Sequence, residues 1–337
     1  MNTLDRKGSK EQYSARDAAL STPLLSAHGA NPEVVGRFAP SPSGRMHAGN
    51  VFSALCAWLI AKLQGGRIVL RIEDLDAQRS KQEHIDALMR DFETLGLTWD
   101  EGPFYQQVRH EAYVEAFEQL KSGGGVYPCF CTRADLHAAS APHASDKLVY
   151  PGTCRSLSER DRESLLAEKP AAYRLSVPDE LCVIEDQFQG ISTFNLANDC
   201  GDFVIRRFDG SFAYQLAVVV DDAAQGVNSV VRGVDLLDSS PQQRYLQKLL
   251  GFDEVAYAHV PLIVAPDGRR LAKRNQDAAL DALLSRYKAP EAVLGHIAYL
   301  TGIIDAEEPV MPQDLLKALT LETLLGRLHG KTSIVFE

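Results

Sequence analysis

The sequence has no apolar run of the roughly 18–20 residues that a membrane-spanning helix needs. Its polar start, MNTLDRKGSKEQYSARDAAL, also lacks the short apolar segment of a secretory signal. There are only six cysteines in 337 residues, and without an export signal we expect reduced thiols rather than a disulfide framework. These absences predict a cytoplasmic protein with no membrane partner.

Positive charge is also in deficit. The 35 Lys and Arg residues stand against 45 Asp and Glu, which gives a net charge of −10. A nucleic-acid binder usually shows a basic footprint, so the composition does not support an RNA partner, although one basic face of the molecule would be enough. The 45% of apolar residues is ordinary for a globular protein.

The pattern after the polar start predicts an α/β fold. VVGRFAP is typical of a short strand, and VFSALCAWLIAKLQ has Val51, Leu55 and Leu59 at helical spacing. RIVLRIED predicts a second buried strand that ends in two carboxylates, followed by a helix over about 81–95. A strand, a helix and a strand within about 40 residues form a βαβ unit, which implies a parallel sheet.

The remaining chain predicts further strands and helices around one insertion. Clustered cysteines and prolines set 129–199 apart, whereas DFVIRRFDG, SVVRG and AHVPLIVAPDG are typical of strands and SPQQRYLQKLLG of a helix. From Asp277 onward the pattern is helical. We therefore predict five parts: a flexible extension (1–32), the first half of a nucleotide-binding domain (33–128), an insertion (129–199), the second half of that domain (200–265) and a basic loop with a helical subdomain (266–337).

The loop RFAPSPSGRMHAGN, residues 37–50, connects a predicted strand to the start of a helix. Unpaired N–H groups and the helix dipole make such a position an anion site, and small residues allow close approach of a nucleotide. His47 lies just before the helix, where an imidazole would donate a hydrogen bond to phosphate. A lone histidine there would be an ordinary exposed side chain, so the whole string has to carry the prediction.

That string resembles the HIGH signature region of class I aminoacyl-tRNA synthetases, and most closely the glutamate-specific branch. The segments RIEDLD at 71–76 and FAYQLAVVVDDAAQGVNSVVRGVDLLDSSPQQ at 212–243 resemble other segments of glutamyl and glutaminyl synthetases. The resemblance runs in order from about Gly36 to at least Gln276. It implies a Rossmann-type parallel sheet with an insertion and a short C-terminal helical subdomain.

The resemblance also implies the substrate-binding residues. Two guanidinium groups suit a substrate with two carboxylates, and a carboxylate at a strand end would bind its ammonium group. The residues expected to hold L-glutamate are Arg37, Phe38, Ala39, Pro40, Ser41, Glu73, Tyr214 and Arg232. Those expected to bind ATP, which is accompanied by Mg²⁺, are His47, Gly49, Asn50 and Lys273.

Lys273 lies in RRLAKRNQ, residues 269–276, which resembles the KMSKS loop of the same enzymes. Attack on the α-phosphorus of ATP builds negative charge, so a cation is needed there. Arg270 replaces the first lysine of the motif and Ala272 its serine. By this resemblance His47 and Lys273 are the catalytic residues.

Three of the six cysteines crowd into residues 129–154, which suggests a metal rather than disulfides. Thiolates at short spacing are good zinc ligands, and a structural site needs four. From the residues alone the fourth ligand is open, since His137 and His143 compete with Tyr150. The C-x-C…Y-x-x-x-C arrangement resembles that of glutamyl-Q tRNA(Asp) synthetases, which implies one Zn²⁺ held by Cys129, Cys131, Tyr150 and Cys154.

Only about 60 residues follow Lys273, which is too few for the anticodon-binding part of a full glutamyl-tRNA synthetase. The chain therefore resembles the truncated glutamyl-Q group. Members of that group adenylate glutamate and pass it to queuosine in the anticodon of tRNA(Asp). The alternatives are a truncated glutamyl-tRNA synthetase that charges a tRNA 3′ end, a nucleotidyltransferase of another kind, and a catalytically silent paralogue.

Overall fold

The computed structural model of the protein describes residues 33–42, 44–76, 78–132, 135, 149–269 and 278–336. The predicted extension at 1–32 lies outside these ranges, and so do His137, His143 and Lys273 with the rest of 270–277. Within the described residues, no helix combines the length and the apolar character that a membrane crossing requires.

The helices alternate with strands through most of the chain, as a βαβ pattern requires. They are α1 (Ala48–Lys62), α2 (Gln82–Thr94), α3 (His110–Ser122), α4 (Glu159–Glu168), α5 (Tyr214–Ala224), α6 (Ser240–Leu250), α7 (Leu280–Tyr287), α8 (Pro290–Thr301), α9 (Pro312–Ala318) and α10 (Leu321–Leu328). The strands are β1 (Val35–Phe38), β2 (Arg67–Ile72), β3 (Glu101–Tyr105), β4 (Val126–Cys129), β5 (Ala172–Leu175), β6 (Leu181–Asp186), β7 (Gly190–Asn195), β8 (Phe203–Arg206), β9 (Ser229–Gly233), β10 (Ala256–Val260), β11 (Leu262–Val264) and β12 (Ser333–Val335).

Two sheets in the structure contain parallel strands. β1, β2 and β3 run parallel in that order, and β9, β10 and β6 run parallel in a second sheet. Asn228 joins the sheets, because its side-chain carbonyl accepts a 2.8 Å bond from the Val35 N–H and its own N–H donates to the Val35 carbonyl at 3.1 Å. The predicted α/β fold with parallel sheets is confirmed.

The segment predicted as one strand, AHVPLIVAPDG, is instead two strands. Pro261 separates β10 from β11, and a proline has no N–H to continue a hydrogen-bonded ladder. β10 pairs with β9 and β6, whereas β11 pairs with β12 at the end of the chain. The purely helical pattern predicted after Asp277 was therefore wrong for β12.

The hairpin of β6 and β7 joins the catalytic sheet although its residues belong to the predicted insertion. β6 pairs with β7 antiparallel and with β10 parallel, so Asp186 lies beside Tyr257. A second, antiparallel sheet of β4, β5 and β8 forms the other part of this region. Residues of the insertion thus reach the sheet that carries the site.

The C-terminal helices share one core with α1. Eleven of the fifteen residues of α1 are buried, and the helix packs against α8 and α9. Leu55 and Leu59 of α1 lie in the same cluster of buried side chains as Leu294 and Leu324 of the C-terminal helices. Full burial of one such leucine contributes about 1.5–3 kcal/mol, so this contact fixes the helical end of the chain against α1.

Candidate active site

One cavity of about 670 Å³ opens where β1, β2 and β9 end. Ligands of doubly wound folds bind at this edge because the strand ends and loops there leave a crevice. The predicted site residues that line the cavity are Arg37, Phe38, Ala39, Pro40, Ser41, His47, Gly49, Asn50, Glu73, Tyr214 and Arg232. Every predicted glutamate or ATP residue that the structure describes therefore faces the same space.

His47 is the N-cap of α1. Its Nδ1 accepts a 3.1 Å hydrogen bond from the Gly49 N–H, while the Asn50 side-chain carbonyl accepts one of 3.2 Å from the His47 N–H. In the neutral imidazole this bond to Nδ1 assigns the ring proton to Nε2. The reciprocal bonds fix the direction of the ring at the helix terminus, where the dipole favours an anion.

Arg37 forms an ion pair with the carboxylate of Asp222. Its Nε donates to Asp222 at 2.9 Å, and both side chains are almost wholly buried. Among the described residues its two terminal nitrogens have no hydrogen-bond partner. The guanidinium therefore keeps its two Nη groups for a ligand, and a carboxylate can accept two parallel hydrogen bonds from that edge.

Arg71 shares Asp222 with Arg37. It is fully buried and donates through Nη1 to Asp222 and to Gln225, each at 2.8 Å, while Nη2 lies 3.4 Å from Glu73. Burial raises the pKa of Glu73, and the positive charges of Arg71 and Arg37 oppose that rise. Glu73 thus presents a carboxyl group to the cavity that already has two cations beside it.

Arg232 makes more hydrogen bonds within the protein than Arg37 does. Its Nε donates to His259 at 2.9 Å and its Nη1 to Gln243 at 2.8 Å. Its Nη2 donates to the Ser240 hydroxyl at 2.8 Å and to the Leu236 carbonyl at 3.2 Å. A guanidinium has five N–H hydrogens, so these contacts leave one on Nη1 for a ligand in the cavity.

Tyr214 begins α5, and no described residue is a hydrogen-bond partner of its hydroxyl. The phenol therefore adds a donor and an acceptor to the wall of the cavity.

Lys273 lies outside the described residues, but the chain on both sides of its loop is at the cavity. Pro261, Leu262 and Ile263 line the space on one side. On the other side, Ala279 forms a β-bridge with His47, and the Leu280 N–H donates to the Met46 carbonyl at 2.9 Å. Described segments before and after residues 270–277 therefore lie at the cavity.

The predicted metal ligands also come together, in a second place. The sulfur atoms of Cys129, Cys131 and Cys154 all lie within 4.8 Å of one another. The Tyr150 oxygen is 3.5 Å from the Cys129 sulfur and 3.6 Å from that of Cys131, and the Cys154 N–H donates to it at 2.8 Å. The Phe130 N–H points at the Cys154 sulfur at 3.4 Å. This cluster could hold a metal ion.

A family model described as tRNA synthetases class I (E and Q), catalytic domain, matches residues 33–323. The chain belongs to this family.

Curated relatives in the family cover most of the chain. It is 46% identical over 298 residues to the glutamyl-Q tRNA(Asp) synthetase of Symbiobacterium thermophilum, which covers 85% of this chain and 92% of the relative. It is 42% identical over 304 residues to the protein of the same name from Nitratidesulfovibrio vulgaris, with 87% and 94% coverage.

Solved structures in the family have the same fold. A glutamate tRNA ligase from Elizabethkingia meningosepticum, in complex with its amino acid, is similar with a TM-score of 0.76 at 28% identity. The similarity covers 91% of this chain and 67% of that one. The predicted class I synthetase fold is confirmed.

The residues behind the two cavity arginines were not predicted. Asp222 and His259 touch Arg37 and Arg232, yet neither lines the cavity. One signal was present in the sequence, since the pair of aspartates in FAYQLAVVVDDA interrupts an apolar helix and buried carboxylates need partners. Nothing local indicated which arginine they would meet.

Replacement of Asp222 by asparagine should destabilise the protein. The substitution keeps the shape of the side chain but leaves the buried guanidinium groups of Arg71 and Arg37 without the carboxylate between them. Loss of one member of a buried ion pair costs about 3–5 kcal/mol, and we expect the free energy of unfolding to fall by about 3 kcal/mol.

The measurement is urea-induced unfolding followed by circular dichroism. The matched control is Asp253→Asn, because Asp253 is exposed and should tolerate the same change with little effect. An Asp222→Asn midpoint equal to that of the control would contradict the stabilising role of the buried carboxylate.

Proposed function

We propose that the protein activates L-glutamate with ATP and transfers the glutamyl group to queuosine in the anticodon of tRNA(Asp). The observation that carries this proposal is the cavity in which two arginines, one glutamate and an N-capping histidine face a common space. The glutamyl-Q tRNA(Asp) synthetases that match most of the chain support the same reaction and acceptor.

Glutamate would be held by charge at both of its ends. Arg37 offers its two Nη groups to one carboxylate, and Arg232 offers its remaining Nη1 hydrogen to the other. Glu73 would accept from the substrate ammonium group; burial raises the pKa of this carboxyl, and a third positive charge beside it would favour its ionised form. Tyr214 and the residues Phe38, Ala39, Pro40 and Ser41 would form the walls.

ATP would bind at the start of α1. Gly49 and Asn50 belong to its first turn, where the helix dipole favours an anion, and His47 lies at its cap. Lys273 would contact the phosphates as well. Mg²⁺ would accompany ATP and neutralise part of its phosphate charge.

Activation joins an oxygen of the substrate α-carboxylate to the α-phosphorus of ATP. The bond from that phosphorus to the bridging oxygen of pyrophosphate breaks, and pyrophosphate leaves with the electron pair. His47 and Lys273 would stabilise the charge that builds on the phosphate oxygens. In the second step queuosine attacks the glutamyl carbonyl carbon, and AMP leaves.

The cysteine cluster suits zinc. Ligands placed about 2.0–2.3 Å from one tetrahedral ion are about 3.3–3.8 Å apart. The Cys131 and Cys154 sulfur atoms are 3.5 Å apart, and the Tyr150 oxygen fits the same spacing. An N–H aimed at a thiolate sulfur is a common outer contact of metal sites. When bound, one Zn²⁺ would link Cys129 and Cys131 to Tyr150 and Cys154, and would so connect the two ends of the chain segment that separates the two pairs.

We also infer that the protein acts in the cytoplasm, where ATP and tRNA occur and thiols stay reduced.

The acceptor is tested with labelled glutamate, ATP and three RNAs. We expect label to enter tRNA(Asp) that contains queuosine, because only that RNA carries the acceptor, and not tRNA(Asp) transcribed without the modification. The third RNA, tRNA(Glu), is the control for charging of a 3′ end. Label in tRNA(Glu), or equal label in both forms of tRNA(Asp), would contradict the proposed acceptor.

The metal is tested by its content in the purified protein. We expect about one zinc ion per chain, and its loss in Cys154→Ser, because three protein ligands hold a structural zinc poorly. The control is Cys182→Ser, whose thiol lies outside the cluster. Tyr150→Phe should release zinc to a chelator faster than the wild type does. Full zinc content in Cys154→Ser would show that the ion is bound elsewhere.

A further inference from the structure

A line of three buried groups runs from Asp186 through His259 to Arg232. The Asp186 carboxylate is 2.5 Å from Nδ1 of His259, and Nε2 of the same ring is 2.9 Å from Nε of Arg232. The side chains of Asp186 and His259 are completely buried. Only the last member of the line, Arg232, reaches the cavity.

The direction of the hydrogen bonds along this line is determined by chemistry. An arginine Nε–H can only donate, so Nε2 of His259 has to accept. The ring proton is then on Nδ1, where it is donated to Asp186. Burial lowers the pKa of His259, with the nearby Arg232 acting in the same sense and the Asp186 carboxylate opposing both, so the ring is the neutral acceptor that Arg232 needs.

Asp186 is itself fixed by the backbone. Its Oδ1 accepts from the N–H groups of Phe188 and Gln189, each at 2.9 Å, and the carboxylate also accepts from the His259 N–H. These bonds hold the carboxylate at the end of β6, next to β10. Asp186 cannot rotate, and it therefore orients Arg232 through the His259 ring.

We propose that Asp186 and His259 are positioning residues that hold the Arg232 guanidinium in the orientation that binds glutamate. The inference rests on the proposed function, since it assigns to Arg232 a substrate carboxylate. With Nε bonded to His259 and Nη2 bonded to Ser240 and Leu236, the remaining Nη1 hydrogen has one direction. Without the imidazole, Nε would be a buried donor with no partner, and the three bonds of the Nη groups would hold that direction less tightly.

The test compares two substitutions of His259. In His259→Leu the volume is roughly kept but the acceptor for Arg232 is removed, whereas His259→Gln can place its side-chain oxygen near the position of Nε2. Loss of a hydrogen bond to a buried charged group corresponds to about a 10- to 100-fold change in an equilibrium constant.

The readout is glutamate-dependent ATP–pyrophosphate exchange without tRNA, with KM measured for each substrate. We expect His259→Leu to raise the glutamate KM about 10- to 100-fold, with the ATP KM within about twofold, and His259→Gln to recover most of the loss. Equal glutamate KM values in wild type and His259→Leu would overturn the positioning role. Absence of exchange in the wild type would instead contradict the proposed function.

The control for the loss of a buried histidine is His296→Leu. His296 also bonds to a carboxylate, at 2.9 Å from Glu307, but it lies in α8 and does not line the cavity. We expect its glutamate KM to stay within about twofold of wild type, because the interactions of Arg232 are untouched. A rise equal to that of His259→Leu would mean that general destabilisation explains both.

A measurement on the unmodified protein covers the case in which His259→Leu does not fold. Nitrogen-15 spectra of the histidine rings, with His259 assigned from its absence in His259→Gln, report which ring nitrogen carries the proton. We expect the proton on Nδ1, and a shift of the Nε2 signal when glutamate is added. A proton on Nε2, or no shift at saturating glutamate, would overturn the inference.

Discussion

The active-site cavity depends on one buried carboxylate, Asp222, which holds two guanidinium groups. Arg71 has no exposed surface, and without Asp222 it would lose its shortest ion pair and keep only longer contacts with Glu73 and Asp221. Arg37 uses the same oxygen atom and so keeps its Nη edge turned away from the protein. Burying the ion pair costs desolvation energy. In exchange for that cost the Arg37 guanidinium is held in one orientation at the cavity, next to Glu73.

The fold brings these groups together through its strand ends. Arg37 and Arg232 lie near the carboxyl ends of β1 and β9, and Glu73 follows β2. These ends meet at the cavity, and α5 supplies Asp222 behind it. The hairpin of β6 and β7 adds Asp186 from a segment of the chain that also contains the cysteine cluster. The C-terminal helices pack on α1, which carries His47 at its cap.

Much of the cavity wall could be predicted from the sequence because its residues sit in long ordered motifs. The loop at 37–50, Glu73, Tyr214 and Arg232 were each predicted in this way and line one space. Their roles in binding stay predictions. The supporting residues could not be predicted, because Asp222 is 185 positions from Arg37 and His259 is 27 positions from Arg232, and local patterns carry no information on such pairs. Pro261 shows the same limit in the fold, since it looked like a residue within one strand but separates two strands of different sheets.

We propose that two oriented guanidinium groups, those of Arg37 and Arg232, select an amino acid with two carboxylates. The most direct measurement is ATP–pyrophosphate exchange with glutamate and with glutamine, which has the same shape but an uncharged amide in place of the second carboxylate. We expect a kcat/KM for glutamate at least about a hundredfold above that for glutamine, because the amide leaves a buried charge unpaired. Comparable values for the two amino acids would contradict the account.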